Sequence, residues 1–297
     1  MRGLLDPKMY FVFKNIFGSE KHPNILISFL NATLKPKDLI TEVEIKNTDL
    51  NKGYIEDKFS RLDVKATTSS NEIINIEIQL KNEYNMIKRS LYYWSKLYSE
   101  QLNEGEDYSV LKRTICINIL NFKYLKTRKF HSGYRLKEIY SNEELTNVAE
   151  IHFIEIPKLE EGSDEKDMLV AWIEFLKNPE SEKVRSLEMS VEEIREAKDE
   201  LIKMSNDDTQ RELYEMRAKT LRDKISALNE AERKGIKKGR EEGRKEGRKE
   251  GRKEGIEEGE KNKAIEIAKS LINLGLDKES IAKSTGLDLC EVEKLMN

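Results

Sequence analysis

Residues 71–80 read NEIINIEIQL, and this run alternates strictly between apolar and polar side chains. A period of two is typical of a β-strand that buries one of its sides. The apolar residues are Ile74, Ile76, Ile78 and Leu80, and the polar ones are Asn75, Glu77 and Gln79. The pattern therefore predicts a strand with an apolar buried face and an exposed polar face.

A second alternating run, SRLDVKA, lies just upstream at residues 60–66. Leu62, Val64 and Ala66 point one way in this run, and Arg61, Asp63 and Lys65 point the other way. The small polar cluster TTSSN at residues 67–71 between the two runs is typical of a hairpin turn, so we expect antiparallel pairing. In that register Asp63 lies opposite Glu77.

Two opposed acids need a positive partner, because directly opposed side chains are about 5 Å apart and like charges there are destabilising. A divalent cation such as Mg²⁺ fits, since it takes oxygen ligands from one or two carboxylates and completes its shell with water and phosphate. A surface salt-bridge patch with Arg61, Lys65 and the nearby Lys46 fits the local pattern equally well.

Composition narrows the class of protein. Charged residues make up 37% of the 297 residues and aromatic residues 7%. Apolar runs stay below the 18 or so residues of a membrane helix, so we expect a soluble cytoplasmic protein without membrane contact. Cys116 and Cys290 form no disulfide framework, and the three histidines have no ligand spacing. Zinc and small-molecule cofactors are therefore not expected.

A basic stretch runs from residue 108 to residue 137, where eight Lys and Arg residues and several aromatic residues occur without any Asp or Glu. Basic and aromatic side chains together are typical of surfaces that contact a nucleic-acid backbone. The predicted backbone contacts are Lys112, Arg113, Lys123, Lys126, Arg128 and Lys129. The alternative is that the aromatic residues simply belong to the core around an apolar strand.

The order of the predicted elements indicates a mixed sheet with helices on its faces. The spacing predicts helices over Tyr10–Phe17, from Pro23 onward, and over Tyr84–Leu102. Strands are predicted over residues 41–48, in the two runs above, over residues 114–122 and near residues 151–159. The core order is αβββαβ.

That order and four segments resemble the Rpn recombination-promoting nucleases, a branch of the PD-(D/E)xK nuclease superfamily whose members are often described as transposases. The segments are LDPKMYFVFKNIFGSE, RLDVKA, NIEIQL and RSLYYWSKLYSEQLNEGEDYSVLKRTICINILNF. The resemblance covers roughly residues 4–160. It implies an α/β fold with a restriction-endonuclease-like αβββαβ core and a mixed sheet, followed by an α-helical C-terminal extension.

The resemblance also implies an activity and a site. The activity is metal-dependent hydrolysis of DNA by an endonuclease of low sequence preference, linked to recombination or mobile DNA. Asp63, Glu77 and Gln79 would be the catalytic residues, and Asp63, Glu77 and the backbone carbonyl of Ile78 would hold Mg²⁺ or Mn²⁺. Gln79 stands where the superfamily usually has Lys, and a neutral amide cannot stabilise a developing negative charge as an ammonium does.

A second departure lies in the opening helix, where the family motif reads like DPKxDYxFK and Tyr10 replaces its second Asp. The residues expected to support the site are Asp6, Tyr10, Lys14, Glu44, Arg89 and Tyr93. Glu44 is expected to compensate for the acid missing at position 10. Asp6 is equally well explained as a helix cap, and Tyr93 as a core residue.

The C-terminal half is predicted to space or to oligomerise the nuclease domain. The predicted segments are residues 1–160, the nuclease domain; 161–232, a helical extension with coiled-coil character; 233–262, a charged repeat; and 263–297, a small helix-turn-helix-like tail. In the repeat a glycine falls at every fourth position from Gly235 to Gly259. Each glycine costs about 1 kcal/mol of helix stability relative to alanine, so a solvated spacer and a self-associating helix both remain open.

Two other functions stay open alongside the nuclease. Gln79 and Tyr10 together favour a catalytically silent DNA-binding or assembly protein. A transposase is the third reading, although the sequence offers no third acid for strand transfer. DNA is the expected partner in each case, and a homo-oligomer formed through the C-terminal helices is expected.

Overall fold

The structure is a computed structural model and describes residues 3–46, 63–160, 162–164 and 166–296. Arg61 and Leu62, from the predicted second strand, lie outside the described residues. The chain divides into two compact units, Met1–Arg222 and Asp223–Asn297. In the described ranges no helix is both long and apolar enough to cross a lipid bilayer.

The described helices and strands follow one another along the chain. They are α1 (Tyr10–Phe17), α2 (Pro23–Leu34), β1 (Val43–Lys46), β2 (Val64–Thr68), β3 (Ile73–Gln79), α3 (Met86–Ser99), β4 (Thr114–Leu120), β5 (His131–Lys137), β6 (Glu144–Glu155), α4 (Met168–Lys177), α5 (Glu182–Ser190), α6 (Glu192–Asn206), α7 (Asp208–Asn273), α8 (Lys278–Thr285) and α9 (Leu289–Met296). Both predicted helices at the start of the chain are confirmed, including the start of α2 at Pro23.

Six strands form one mixed sheet in the order β1-β2-β3-β4-β6-β5. The pairs β1–β2 and β2–β3 are antiparallel, β3–β4 and β4–β6 are parallel, and β5–β6 is antiparallel. The helix α3 connects β3 to its parallel neighbour β4, as a crossover must. The predicted mixed α/β architecture is therefore confirmed.

The predicted hairpin between β2 and β3 is confirmed. Asn71 has a φ of 61°, and its N–H donates to the carbonyl of Thr68 at 2.8 Å. Asn tolerates this left-handed conformation better than most residues. The register pairs Val64 with Ile76, so the next position places Asp63 opposite Glu77.

The expectation of an exposed polar face was wrong. Asn75 is 2% exposed and Glu77 is 1% exposed. Helix α3 covers this face of the sheet, where Tyr93 and Leu97 pack around the buried Cys116. Because the strands are central in the sheet and are covered on both sides, a polar residue on β3 is as buried as its apolar neighbours.

The apolar face of the sheet carries the main core. The isoleucines of β4 and, except for Ile73, those of β3 pack there with α1, α2, α4, α5 and α6. Trp172 of α4 lies 5.3 Å from the ring centroid of Phe17 and 6.5 Å from that of Phe29. The helices α4, α5 and α6 thus share one core with the sheet.

The strand β5 was not predicted. Only His131 and Ser132 of this edge strand are partly buried, and the residues from Gly133 to Lys137 are exposed. An edge strand without a buried face shows no apolar alternation, so the period-two pattern that reveals β2 and β3 is missing from it. β6 also begins at Glu144, well before the predicted start near residue 151.

The second unit holds a small helical core of its own, built from Ala268, Ile281, Leu287 and Val292. Gly275 and Gly286, the predicted turn positions, have φ values of 81° and 72°. The glycine repeat lies within α7, and every residue from 231 to 263 is exposed. The repeat is therefore helical, and no described residue covers it.

Candidate functional site

Asp63 and Glu77 meet at one end of the β2–β3 hairpin. The Ile78 N–H donates to Asp63 Oδ2 at 2.5 Å, which fixes the Asp63 carboxylate beside the residue that follows Glu77. Asp63 is 8% exposed and Glu77 1%. Two buried carboxylates therefore lie next to each other at the end of the sheet where β2 begins and β3 ends.

Burial and mutual repulsion make this pair unusual. Burial, followed by the nearby Glu77 carboxylate, raises the pKa of Asp63 to about 8, although the Ile78 N–H and the charges of Arg89 and Lys14 act in the opposite direction. Burial also raises the pKa of Glu77, and Arg89 offsets part of that rise. If both acids were ionised, the site would hold more buried negative charge than its cations compensate.

Helix α3 supplies the main cation. Arg89 Nε donates to Glu77 Oε2 at 3.1 Å, and the guanidinium carbon lies 5.0 Å from the ring centroid of the buried Tyr93. The two residues share a face of α3 because they stand four positions apart. The structure therefore places Arg89 beside Glu77 and Tyr93 beside Arg89, with the Tyr93 ring orienting the Arg89 side chain.

One carboxylate oxygen in the site is left over. Glu77 Oε1 is buried and has no hydrogen-bond partner among the described residues. An unpaired buried carboxylate oxygen costs free energy unless a cation or a donor reaches it. Among the described residues no group of three or more His, Cys, Asp and Glu side chains is arranged to hold a metal ion, but Mg²⁺ needs only one or two carboxylates besides water and phosphate. Asp63 and Glu77 fit a divalent cation of that type.

The backbone carbonyl of Ile78 lies on the side of β3 that faces Asp63. The Gln79 carbonyl accepts a hydrogen bond from the Asn121 N–H at 2.9 Å, on the β4 side of the strand. Alternate residues of a strand direct their backbone groups to opposite sides, and the Ile78 N–H already bonds to Asp63 on the β2 side. The Ile78 carbonyl therefore also faces the β2 side.

Gln79 ends β3 on the same face as Glu77 and is half-buried. Gln79 thus lies two residues beyond Glu77, at the end of the strand. Lys14 of α1 lies close enough to lower the pKa of Asp63. Tyr10 is one turn before Lys14 on the same face of α1, and is partly buried.

Two of the predicted supporting acids are engaged elsewhere. Asp6 Oδ1 accepts from the Lys8 N–H at 3.0 Å and forms an ion pair with Lys8 Nζ at 2.9 Å. This arrangement closes a turn just before α1 without capping the helix, because the capping position belongs to Met9.

The expected compensation by Glu44 was wrong. Glu44 pairs in register with Thr67, four positions along β2 from Asp63, a separation of roughly 13 Å along the strand. Its side chain is 70% exposed and forms an ion pair with Lys46. The antiparallel direction of β1 carries Glu44 away from the site, so it brings no third acid to the Asp63–Glu77 pair.

The predicted basic patch is split between the two ends of β4. Lys112 and Arg113 precede the strand, whereas Lys123, Lys126, Arg128 and Lys129 follow it. Arg113 is held by Glu72 at 3.0 Å and Glu150 at 2.6 Å, and its side chain is 17% exposed. Of these basic residues, only those after β4 lie at the end of the sheet where Asp63 and Glu77 lie.

Two buried polar clusters were not predicted from the sequence. His131 and His152 are far apart in the sequence, yet their rings share a hydrogen bond of 2.8 Å across β5 and β6. Glu155 and Lys158 form an ion pair beneath the loop that follows β4, at 2.6 Å. The spacing of three residues in EIPK was the only sequence sign of the second cluster.

Comparison with known proteins identifies the family of this chain. A family profile described as "PD-(D/E)XK nuclease family transposase" matches residues 7–231, well over half of the chain. Neither a curated protein nor a solved structure gave a match. The matched range includes both acids, Gln79, the α3 pair and the loop after β4. The chain belongs to the PD-(D/E)XK nuclease family transposases.

Proposed function

We propose that this protein is a metal-dependent DNA endonuclease of low sequence preference, and that α2, β1 to β3, α3 and β4 form a restriction-endonuclease-like αβββαβ core. The observation that carries the proposal is the buried Asp63–Glu77 pair with its unpartnered oxygen. Buried charge without a partner costs free energy, so a protein that keeps it usually does so at a functional site.

Asp63, Glu77 and the Ile78 carbonyl would hold Mg²⁺ or Mn²⁺. When bound, such an ion polarises a phosphoryl oxygen and lowers the pKa of a water ligand, which supplies the nucleophile. The Gln79 amide would orient the attacking water by hydrogen bonding. The charges of Arg89 and Lys14 act to lower the pKa of Asp63, and both residues would offset the charge that develops on the phosphate.

Gln79 and Tyr10 support a second candidate, a catalytically silent DNA-binding or assembly protein. Neither residue supplies the charge found at the matching family position. The two candidates share the same fold and the same DNA partner, and they differ only in whether a phosphodiester bond is broken. The transposase reading adds strand transfer, for which Asp63 and Glu77 alone give no support.

The remaining expectations are part of the proposal. A link to recombination or mobile DNA comes from the family. Residues 1–160 would carry the nuclease chemistry, residues 161–232 would complete its core, and the segments 233–262 and 263–297 would space or oligomerise it. The exposed repeat in α7 supports a solvated or self-associating helix equally.

Cleavage assays on supercoiled plasmid and on single-stranded DNA test the function. The purified protein is compared with Asp63→Ala and Glu77→Gln, each in Mg²⁺ and in EDTA. Glu44→Gln is the matched control, since Glu44 is an acid of the same sheet that lies away from the site. We expect cleavage only in Mg²⁺, by the wild type and by Glu44→Gln. Equal cleavage by all four proteins would point to a contaminant, and DNA binding without cleavage by the wild type would favour the silent candidate.

A further inference from the structure

The ten residues between β4 and β5 form a loop with four exposed cations. Lys123, Lys126, Arg128 and Lys129 are all exposed, and none takes part in an ion pair with a described residue. The loop starts beside the site, because the Asn121 N–H donates to the Gln79 carbonyl. These exposed cations thus cluster at the end of the sheet where Asp63 and Glu77 lie. We call residues 121–130 the basic loop.

A buried ion pair lies beneath the basic loop and holds its backbone. Glu155 Oε1 accepts hydrogen bonds from the N–H groups of Tyr124 and Leu125. Lys158 Nζ donates to the carbonyls of Leu125 and Thr127, each at 2.7 Å, and to Glu155 Oε2 at 2.6 Å. All three donors of the ammonium group are therefore used. Two side chains thus hold the backbone of the loop at Tyr124, Leu125 and Thr127.

The end of the loop is fixed by the same residue. The Glu155 N–H donates to the Phe130 carbonyl at 2.7 Å. The apolar side chains of the loop turn inward, where Phe122, Tyr124 and Leu125 pack against Met86, Leu120 and Phe153. The basic side chains are consequently directed outward, and the loop keeps this arrangement without any regular secondary structure.

The energetics suggest a role other than stability. The side chains of Glu155 and Lys158 are 1% and 8% exposed. A buried ion pair contributes little net stability, because the desolvation of both charges offsets their attraction, and apolar replacements are often neutral. What the pair adds is a defined backbone shape for a charged surface loop that would otherwise be free to move.

The strand register places the Glu155–Lys158 pair close to Asp63 and Glu77. Gln79, Leu120 and Glu155 are aligned across β3, β4 and β6, so Glu155 lies roughly 10 Å from Gln79, on the same face of the sheet. A DNA strand that reaches the Asp63–Glu77 pair extends over several nucleotides on either side. Its backbone phosphates therefore need cations at this distance from the reacting bond.

We propose that Glu155 and Lys158 are positioning residues that hold the basic loop in the shape that binds the phosphates of a DNA strand entering the site. The proposal rests on the proposed function for its substrate. It assigns the phosphate contacts to the four loop cations and excludes Arg113. The positioning pair itself touches neither the DNA nor the reacting atoms.

The experiment measures binding and cleavage separately. Fluorescence anisotropy with a labelled 30-base-pair duplex in EDTA gives the affinity and its salt dependence, and plasmid cleavage in Mg²⁺ gives kcat and KM. The variants are Glu155→Gln, Lys158→Met, the double variant, and a loop variant with all four cations changed to Gln. Lys203→Met is the matched control, because Lys203 pairs with Glu200 at the same spacing on the exposed face of α6.

We expect the loop variant and the Lys158→Met variant each to lose about tenfold or more in affinity at moderate salt, with a shallower salt slope, because fewer phosphates are contacted. KM should rise while kcat stays near the wild-type value, and Lys203→Met should match the wild type. Adding Lys158→Met to the loop variant should cause no further loss. The double variant leaves no unpaired buried charge, so it provides the same test if a single variant fails to fold.

Some outcomes would overturn the inference. Wild-type affinity and salt slope in folded Lys158→Met or in the double variant would remove the positioning role. A further loss in the combined loop and Lys158→Met variant would mean that the pair does not act through the loop cations. If the wild type binds DNA through the loop but never cleaves it, the proposed nuclease function fails while the positioning role stands.

Discussion

Two clusters of buried charge in the same sheet differ in how their negative charge is balanced. One surrounds Glu150, and the other is the Asp63–Glu77 pair. Glu150 on β6 is 3% exposed and accepts hydrogen bonds from Arg113, Arg135 and His152. Burial acts to raise its pKa, but those three donors bring the pKa down to about 2. The Asp63–Glu77 pair has the opposite balance, with pKa values raised above the usual range. Burial alone therefore does not mark a site, whereas uncompensated burial does.

The largest effect expected is on cleavage. Glu77→Gln removes one of two metal-binding carboxylates, so we expect kcat/KM to fall by about 10³-fold or more. Glu150→Gln, assayed at a temperature where it remains folded, should keep kcat/KM close to the wild-type value. Steady-state cleavage of a defined duplex measures both. A comparable loss in folded Glu150→Gln would erase the distinction between the two clusters.

The reverse difference is expected in stability. Glu150→Gln takes a charged partner away from two guanidinium groups, and breaking a buried ion pair costs about 3–5 kcal/mol. Glu77→Gln should change stability far less, since it removes a poorly compensated charge. Chemical denaturation followed by circular dichroism gives both free energies of unfolding. Equal destabilisation by the two substitutions would contradict the charge balance described above.

Replacing the neutral amide at the end of β3 should speed the reaction. Gln79→Lys restores the residue usual in the superfamily, and an ammonium stabilises developing charge better than an amide does. We expect kcat to rise by about tenfold, equivalent to about 1.4 kcal/mol of the barrier. Gln79→Met, similar in length but apolar, is the control and should lower kcat. An unchanged kcat in Gln79→Lys would show that this position does not face the reacting phosphate.

Stability should depend on pH in opposite directions for the two clusters. The folded protein holds a proton on Asp63 up to a pKa of about 8, whereas an unfolded Asp loses it near 3.8. Between these values the native state binds more protons, so stability falls as pH rises. Glu150 contributes stability that is present above pH 4.5 and lost as pH falls toward 2.

Substitution separates this pH effect from the rest of the protein. Asp63→Asn keeps an acceptor for the Ile78 N–H but cannot titrate. At pH 8 without divalent metal, we expect it to be more stable than the wild type by at least about 1 kcal/mol, and the difference should vanish near pH 4. Thermal unfolding at several pH values measures the difference. A constant difference across that range would mean that Asp63 is not protonated in the fold.

Much of the site followed from local pattern, because a hairpin with strict alternation leaves little freedom in its register. The turn before β3 and the opposition of Asp63 to Glu77 were predicted in this way, whereas the place of Arg89 and Tyr93 in the site was expected from the family resemblance. The resemblance to the family supplied the chemistry. These features depend on residues that are close in sequence.

The features that were missed depend on contacts between distant segments. Periodicity told which side chains share a face of β3, but the burial of Glu77 depends on the docking of α3. The exposed edge strand β5 carries no apolar alternation. The split of the basic stretch follows from the length of β4, and the pairing of Arg113 with Glu150 joins residues that no local pattern connects.

The central claim is that Asp63 and Glu77 form a divalent-cation site, and calorimetric titration with Mn²⁺ at pH 7 in two buffers of different ionisation enthalpy tests it most directly. Because burial raises the pKa of Asp63 to about 8, the carboxyl should hold a proton at pH 7 without metal, so binding should release protons and the observed heat should depend on the buffer. The account predicts binding with proton release by the wild type and by Glu44→Gln, and loss of binding in Glu77→Gln. Equal Mn²⁺ binding by folded Glu77→Gln, or no binding by the wild type, would contradict it.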